Sequence, residues 1–439
     1  LRGVTKISDT GRNLHRVVYM LGLVLAGEAV YTLPFHVARF FRPAVLDVFS
    51  LTPTQLGLAQ GVYGIVAMLA YFPGGPLADR FPAHKLLAFS LWTTAAGGLY
   101  MATFPDYLGA ILLWGFFGLT TILLFWAALI RATREWGGHD VQGRAYGLLE
   151  GGRGLLAAVL LLAGDFLFKF AFPDGYAEAS FAEREAVLRL IIYGYTAVTA
   201  LCGVFVWFAL SDGQPEGETA LAEWHPDRER LRRHIVRVLR MPAVWLQALI
   251  IVCAYVGYKG FDNYSLFAVR GYGLDEVEAT HIVTIGAWMR PVAAVAAGLL
   301  ADRYTASRMT VLAFVLLLCS DLYFAIATPV PGVVWTLLGN TLVTCVAIYS
   351  LRGLYYALLE EADVPPAVTG TAVGFVSVIG YTPDVFVNFI AGLLIDGAPG
   401  LAGFQHFFWF LAAFSSVGVL VSFLLMRRLH PVRNTAIDS

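Results

Sequence analysis

Apolar residues in this chain come in long unbroken stretches separated by short polar connections. Twelve stretches can be marked, at 17–37, 53–76, 86–104, 107–130, 146–168, 190–210, 242–268, 277–299, 309–328, 332–358, 367–392 and 404–426. Each is close to the roughly 20 residues that an α-helix needs to cross about 30 Å of hydrocarbon. A transmembrane β-strand would alternate apolar and polar positions over about ten residues, and the run from Val311 to Cys319 breaks that alternation. The pattern predicts an all-α membrane protein with twelve transmembrane helices. The first stretch is long and has no clear small-residue cleavage site, so it is expected to stay as the first span rather than leave as a signal peptide.

The polar connections carry an internal repeat. Gly75-Pro76-Leu77-Ala78-Asp79-Arg80 and Gly298-Leu299-Leu300-Ala301-Asp302-Arg303 lie 223 residues apart, each followed by a base, Lys85 or Arg308, and then by another apolar stretch. A second match, Gly143-Arg144-Ala145-Tyr146-Gly147 against Gly370-Thr371-Ala372-Val373-Gly374, is spaced by 227 residues. The chain is therefore divided into two related six-helix halves, 1–210 and 241–439, joined by the hydrophilic connection 211–240. That connection ends in Asp227-Arg228-Glu229-Arg230-Leu231-Arg232-Arg233-His234, a basic and partly amphipathic segment expected to lie along an anionic membrane surface and fix topology.

Composition agrees: 58% of residues are hydrophobic and 14% charged, against about a quarter charged in soluble domains. The four cysteines all fall inside predicted spans without metal-ligand spacing, so no disulfide framework or zinc site is expected. A net charge of −1 gives no argument for nucleic-acid binding. No phosphate-cradling Gly-x-x-x-x-Gly-Lys loop is present to drive transport with ATP, and neither a cofactor nor an enzymatic activity is expected. Lys and Arg concentrate in cytoplasmic connections. With both termini inside, 20 of the 30 basic residues fall on the cytoplasmic side and six, Arg39 and Arg42 among them, on the outer side. The chain is thus read as a multi-pass protein of a bacterial inner (cell) membrane, with the lipid bilayer as its partner.

In span number, central linker and the repeated loop motif, nearly the whole chain resembles the major facilitator superfamily. The resemblance implies a gating role for Asp79, Arg80, Asp302 and Arg303, the two aspartates bracing neighbouring helices at their cytoplasmic ends. In that family the loop motif continues with Gly, where this chain has Pro82 and Thr305. The span-four Arg associated with proton-coupled and drug-exporting members is replaced by Trp114, and Gly151-Gly152-Arg153-Gly154 lacks the span-five proline of many drug antiporters.

Ionisable side chains inside spans cost about 2.5–3.5 kcal/mol each at a helix centre and tend to face a cavity or a partner. Span one carries Glu28, Tyr31, Thr32 and His36, with Glu28 and Thr32 four apart on one face. Glu28 is read either as a proton-coupling carboxylate or as a structural hydrogen-bonding group, and His36 either as a coupling group or as an interfacial histidine. Glu150 and Arg153 in span five, and Lys259 and Asp262 in span seven, are each three apart. Either pair can neutralise itself as scaffold, or release Arg153 or Lys259 to an arriving anion. Tyr255, Tyr258 and Asn263 surround the second pair. Arg290 in span eight, Tyr63 in span two and Asp384 in span eleven complete the candidates; Arg352 is placed near the cytoplasmic end of span ten, where it can snorkel to water.

There is a looser similarity to the organophosphate/phosphate antiporter branch, through Tyr31-Thr32-Leu33, Tyr255-Val256-Gly257-Tyr258-Lys259-Gly260 with Asp262, and Gly370-Thr371-Ala372-Val373-Gly374-Phe375 with Gly380-Tyr381. That branch places an Arg shortly after the span-one tyrosine, where this chain reads Pro34-Phe35-His36. The expectation is a secondary transporter that moves a small polar solute, an organic anion, by alternating access with a coupling proton or ion. The acidic groups keep a cation or metal exporter open, and a non-transporting membrane receptor is the third reading.

Overall fold

The structure, a computed structural model, describes residues 9–137, 142–210, 236–237, 239–330, 333–355, 357–362 and 375–435. Among them there is helix and no strand. The helices are α1 (Asp9–Tyr31), α2 (Pro53–Arg80), α3 (Ala83–Met101), α4 (Tyr107–Leu123, prolonged by Trp126–Gly137), α5 (Gln142–Ala171) and α6 (Phe181–Ala209). They continue as α7 (Pro242–Gly260, prolonged through Phe261–Asn263 and Tyr264–Tyr272), α8 (Glu276–Ala287, prolonged by Met289–Tyr304), α9 (Ala306–Ile326), α10 (Val334–Leu354), α11 (Pro383–Asp396) and α12 (Leu401–Thr435). Among the described residues, eleven spans, including Phe375–Asp396 for α11, are long and apolar enough to cross a membrane. The remaining helix, α3, falls short of that mark, with His84 and Lys85 in its first turn and Thr93 and Thr94 in its middle.

The surface explains why these helices need lipid. Trp335, Phe170, Phe72 and Phe166 stand more than 70% exposed, while Glu28, Arg153, Lys259 and Asp262 are buried. Apolar outside and charged inside is the arrangement a hydrocarbon solvent selects. Polar caps fix the helix starts. Thr52 and Gln55 form a capping box on α2, Ser180 and Glu183 another on α6, and the side chains of Asp106 and Asp275 accept from backbone N–H groups opening α4 and α8.

Helix pairing repeats with a shift of six. In the first half α2 packs on α4, α3 on α4 and α6, and α1 on α5 and α6; in the second, α8 packs on α10, α9 on α10 and α12, and α7 on α11 and α12. The halves meet where α2 crosses α11 and where α5 crosses α8. The first crossing depends on small residues. A Cβ on Gly57 would lie 2.1 Å from the Asn388 carbonyl oxygen, and one on Gly392 would lie 2.5 Å from Thr54 Cα, so backbone meets backbone.

Two features correct the expected spans. The first span does not end at residue 37. It runs on through a π-helical turn, Thr32–His36, and a further turn, Val37–Phe40. Pro34 inside that turn has no N–H to give, and its carbonyl accepts the Trp114 indole N–H at 3.1 Å. Arg39 and Arg42 are consequently buried, not displayed among outer-side bases. The repeated Asp-Arg motif belongs to the last turns of α2 and α8, which run to Arg80 and Tyr304. The side chains of Asp79 and Asp302, the linker segment 211–235 and the glycine motif 370–374 lie outside the described residues.

Candidate functional site

In the last turn of α1, the Glu28 carboxylate gathers three bases. His36 Nε2 lies 3.2 Å away, Arg153 Nε of α5 3.3 Å and Arg290 Nη1 of α8 3.4 Å. Arg153 also holds Glu150 at 2.5 Å, and Arg290 Nη2 stands 3.7 Å from the same carboxylate. The expected Glu150–Arg153 pair is therefore not self-contained but belongs to a five-member network joining the two halves. Gly27 makes room for it, since a Cβ there would sit 3.0 Å from Arg153 Cδ. His36 is 5% exposed, so it is a buried member of this network and not an interfacial histidine. Glu150 is the accessible member, its side chain 51% exposed.

A second network lies about three turns further along the same helix. Asp262 is paired with Arg39, with Lys259 Nζ at 3.1 Å, and accepts from Asn388 Nδ2 at 3.0 Å. Lys259 also reaches Asp384 at 3.4 Å, and Tyr255 donates to Asp384 at 3.0 Å. Arg39 donates to the Tyr258 hydroxyl at 2.7 Å. The Lys259–Asp262 pair is thus bridged across the halves and does not merely neutralise itself.

Between the networks lies an aromatic floor. Tyr31 and Phe35 stand 5.9 Å apart, Phe35 meets Tyr63 edge-on at 4.7 Å, Arg153 covers Tyr31 and Lys259 covers Phe35. Arg352 lies over the rings of Tyr258 and Tyr255, 4.2 and 5.8 Å from their centroids. It is held inside by cation–π contact and does not snorkel outward. Asn263 is fully buried in the turn Phe261–Asn263 within α7, and its side chain makes no hydrogen bond to either network. Arg80 and Arg303 are exposed at the far ends of α2 and α8, away from both networks.

The balance of charge is informative. Arg39, Arg42, Arg153, Lys259, Arg290 and Arg352 face Glu28, Glu150, Asp262 and Asp384, leaving a surplus of two positive charges with His36 neutral. Among the described residues, Arg42 and Arg352 have no carboxylate within ion-pair distance.

Sequence reasoning singled out most of these ions but missed Arg39 and Arg42 as site residues and read Arg352, correctly placed near the end of its span, as a snorkelling residue. The available signal was Pro34, which permits a wide turn and prolongs the first helix.

Beyond the second network the halves are laced together at the end of the bundle remote from the last turn of α6 and the first turn of α7. The Thr54 amide and hydroxyl both donate to Asp396, at 2.8 and 2.5 Å; the Tyr176 amide donates to Asp275 at 2.7 Å; His281 Nδ1 lies 2.9 Å from Asp165. Ser265 and Thr280 donate to the carbonyls of Arg39 and Phe40.

Comparison with known proteins agrees with this architecture. The sequence model of the Major Facilitator Superfamily matches residues 24–385. The chain is 25% identical to the inner membrane protein YihN of Escherichia coli (strain K12), over 93% of this chain and 94% of that protein. It is 27% identical to the inner membrane protein YqcE of the same strain, over 86% and 87%. A bacterial homologue of the human lysosomal transporter Spinster, in an inward-facing and unoccupied conformation, superposes with a TM-score of 0.72 at 16% identity, covering 95% of this chain and 98% of that one. The nucleoside transporter NupG superposes with a TM-score of 0.61 at 15% identity, covering 95% and 98%. With twelve helices in two pseudo-symmetric halves and a family match across most of its length, this chain belongs to the major facilitator superfamily of membrane transporters.

Proposed function

We propose that this transporter carries a small organic anion by alternating access, with Arg352 and Lys259 as the residues that hold it at the central site. The observation that carries the reading is Arg352, a cation in the last turn of α10 that lies over two tyrosine rings and, among the described residues, has no carboxylate within ion-pair distance. A charged donor to an oxyanion makes a stronger hydrogen bond than a neutral pair, and the surplus of two positive charges suits a solute bearing one or two negative ones. Tyr31, Tyr63, Tyr255 and Tyr258 supply hydroxyls and ring faces for the body of the solute. The branch feature missing from the span-one sequence, an arginine after the tyrosine, has a spatial counterpart in Arg39.

Glu28, with His36, is the coupling centre in this reading, since its protonation would release Arg153 and Arg290 together. Asp262 and Asp384 are competitors of the solute for Lys259. With both termini cytoplasmic, as the basic residues favour, the laced end faces outward and the accessible Glu150 is reached from the cytoplasm. A cation or metal exporter is less well supported, because each of the four carboxylates is already engaged by at least one base.

The test is ligand-dependent thermal stability of the detergent-purified chain, screened against inorganic phosphate, sulfate, citrate, glucose 6-phosphate, glucose and divalent manganese. Stabilisation by anions in the wild type, absent in Arg352→Ala and in Lys259→Ala, is expected. Stabilisation by manganese or glucose alone would refute the anion reading.

A further inference from the structure

We propose that Arg42 is an anion-docking cation of the state in which the laced end is open, and that its buried charge biases the protein against staying closed there. The inference rests on the anion reading above and adds a second station to it. Arg42 is 0% exposed. Its Nη1 has two long contacts, 3.5 Å to the Ala38 carbonyl and 3.4 Å to Gln60 Oε1, while among the described residues Nε and Nη2 have no hydrogen-bond partner. A guanidinium has five N–H donors and stays protonated. Burying such a charge without a counter-ion is strongly unfavourable, so a side chain in this position calls for an explanation.

Its location supplies one. Arg42 opens the short helix Arg42–Val48, which packs on α6 of the first half and on Tyr264–Tyr272 of the second. That helix is wedged at the contact that must separate when the laced end opens. Separation would bring Arg42 to water, beside Arg39, which would at the same time lose Asp262. Two guanidiniums three residues apart would then line the mouth, and an oxyanion entering from that side would meet them before Lys259 and Arg352. When the mouth closes behind the solute, Arg42 is again stripped of water, with two long hydrogen bonds and, among the described residues, no carboxylate in ion-pair contact. The penalty opposes permanent closure, as a carrier requires, because a ligand or charge can shift a two-state equilibrium only by its differential free energy in the two states.

The experiment uses Ser265→Cys as a reporter, a near-isosteric change at a buried position on the separating surface. Labelling by a membrane-impermeant maleimide is followed in proteoliposomes, with and without inorganic phosphate, and apparent Tm is recorded in parallel. In Arg42→Gln the labelling rate without phosphate should fall at least threefold and Tm should rise by a few degrees. The phosphate concentration that half-maximally alters labelling should rise at least fivefold, and Arg42→Lys should restore it. A lower Tm with faster labelling in Arg42→Gln would show a structural clamp and overturn the proposal. So would a phosphate response equal to that of the wild type, which would leave the anion reading intact. No phosphate effect on the wild type in either measurement, with no stabilisation by any anion, would remove both.

Discussion

At the residue scale, the intramembrane charges divide by what opposes them. Lys259 is tied to two carboxylates, so Lys259→Ala leaves Asp384 without its base, and breaking a buried pair in this way typically costs about 3–5 kcal/mol. Arg352 has no such pair among the described residues, which makes Arg352→Ala the cleaner probe of solute binding: its fold should survive while its anion response disappears. Thr305 is a different kind of residue. It stands where the family's loop motif has Gly, and its backbone takes φ 91° and ψ 143°, a region nearly reserved for Gly, where other residues carry about 1–3 kcal/mol of strain. Thr305→Gly is expected to raise the thermal midpoint, measured by heating in detergent; a lowered midpoint would mean that the Thr305–Ser307 hydroxyl contact at 3.3 Å outweighs the strain. Glu28, Arg153, Lys259, Asp262 and Asp384 were legible in the sequence because ionisable groups are conspicuous in apolar runs. Arg39 was not, because a helix drawn to end at residue 37 leaves it in a loop.

At the element scale, the two devices that set the site are a widened turn and a glycine crossing. The π-turn of the first span inserts an extra residue into the helical register. That register lets His36 face Glu28 while Arg39, three residues on, faces Asp262. Periodicity counted at 3.6 residues per turn cannot anticipate it; only Pro34 hints at a break. The crossing of α2 and α11 was half legible: both spans contain glycines, which permit close approach, but no local pattern says which helices meet. Ala at position 57 would bring a Cβ to 2.1 Å from the Asn388 carbonyl, and overpacking of this kind typically costs about 1–3 kcal/mol. Gly57→Ala is therefore expected to lower stability and force the laced end apart, read as faster maleimide labelling of Ser265→Cys. Unchanged labelling would place the closure elsewhere, on the α5–α8 contact and the His281–Asp165 pair.

At the scale of the whole molecule, the repeated motif in the loops is matched by repeated helix pairing, which is how a duplication written in a few residues becomes a pseudo-symmetric pair of bundles. The number of spans was legible because hydrocarbon thickness sets helix length, and even α3 is given away by its flanking connections. The state of the protein was not legible, because it depends on contacts between halves that no local pattern records. Nor was the charge surplus, since it depends on which bases share a carboxylate in space. That surplus carries the central claim, and counterflow in proteoliposomes tests it most directly. Vesicles are loaded with the anion that most stabilises the purified protein, and entry of its radiolabelled form is compared with entry of a neutral analogue, in wild type and Arg352→Ala. The account predicts accumulation of the anion alone in the wild type and at least a tenfold loss in Arg352→Ala with the fold intact. Equal entry of the neutral analogue, or full exchange in the variant, would contradict it.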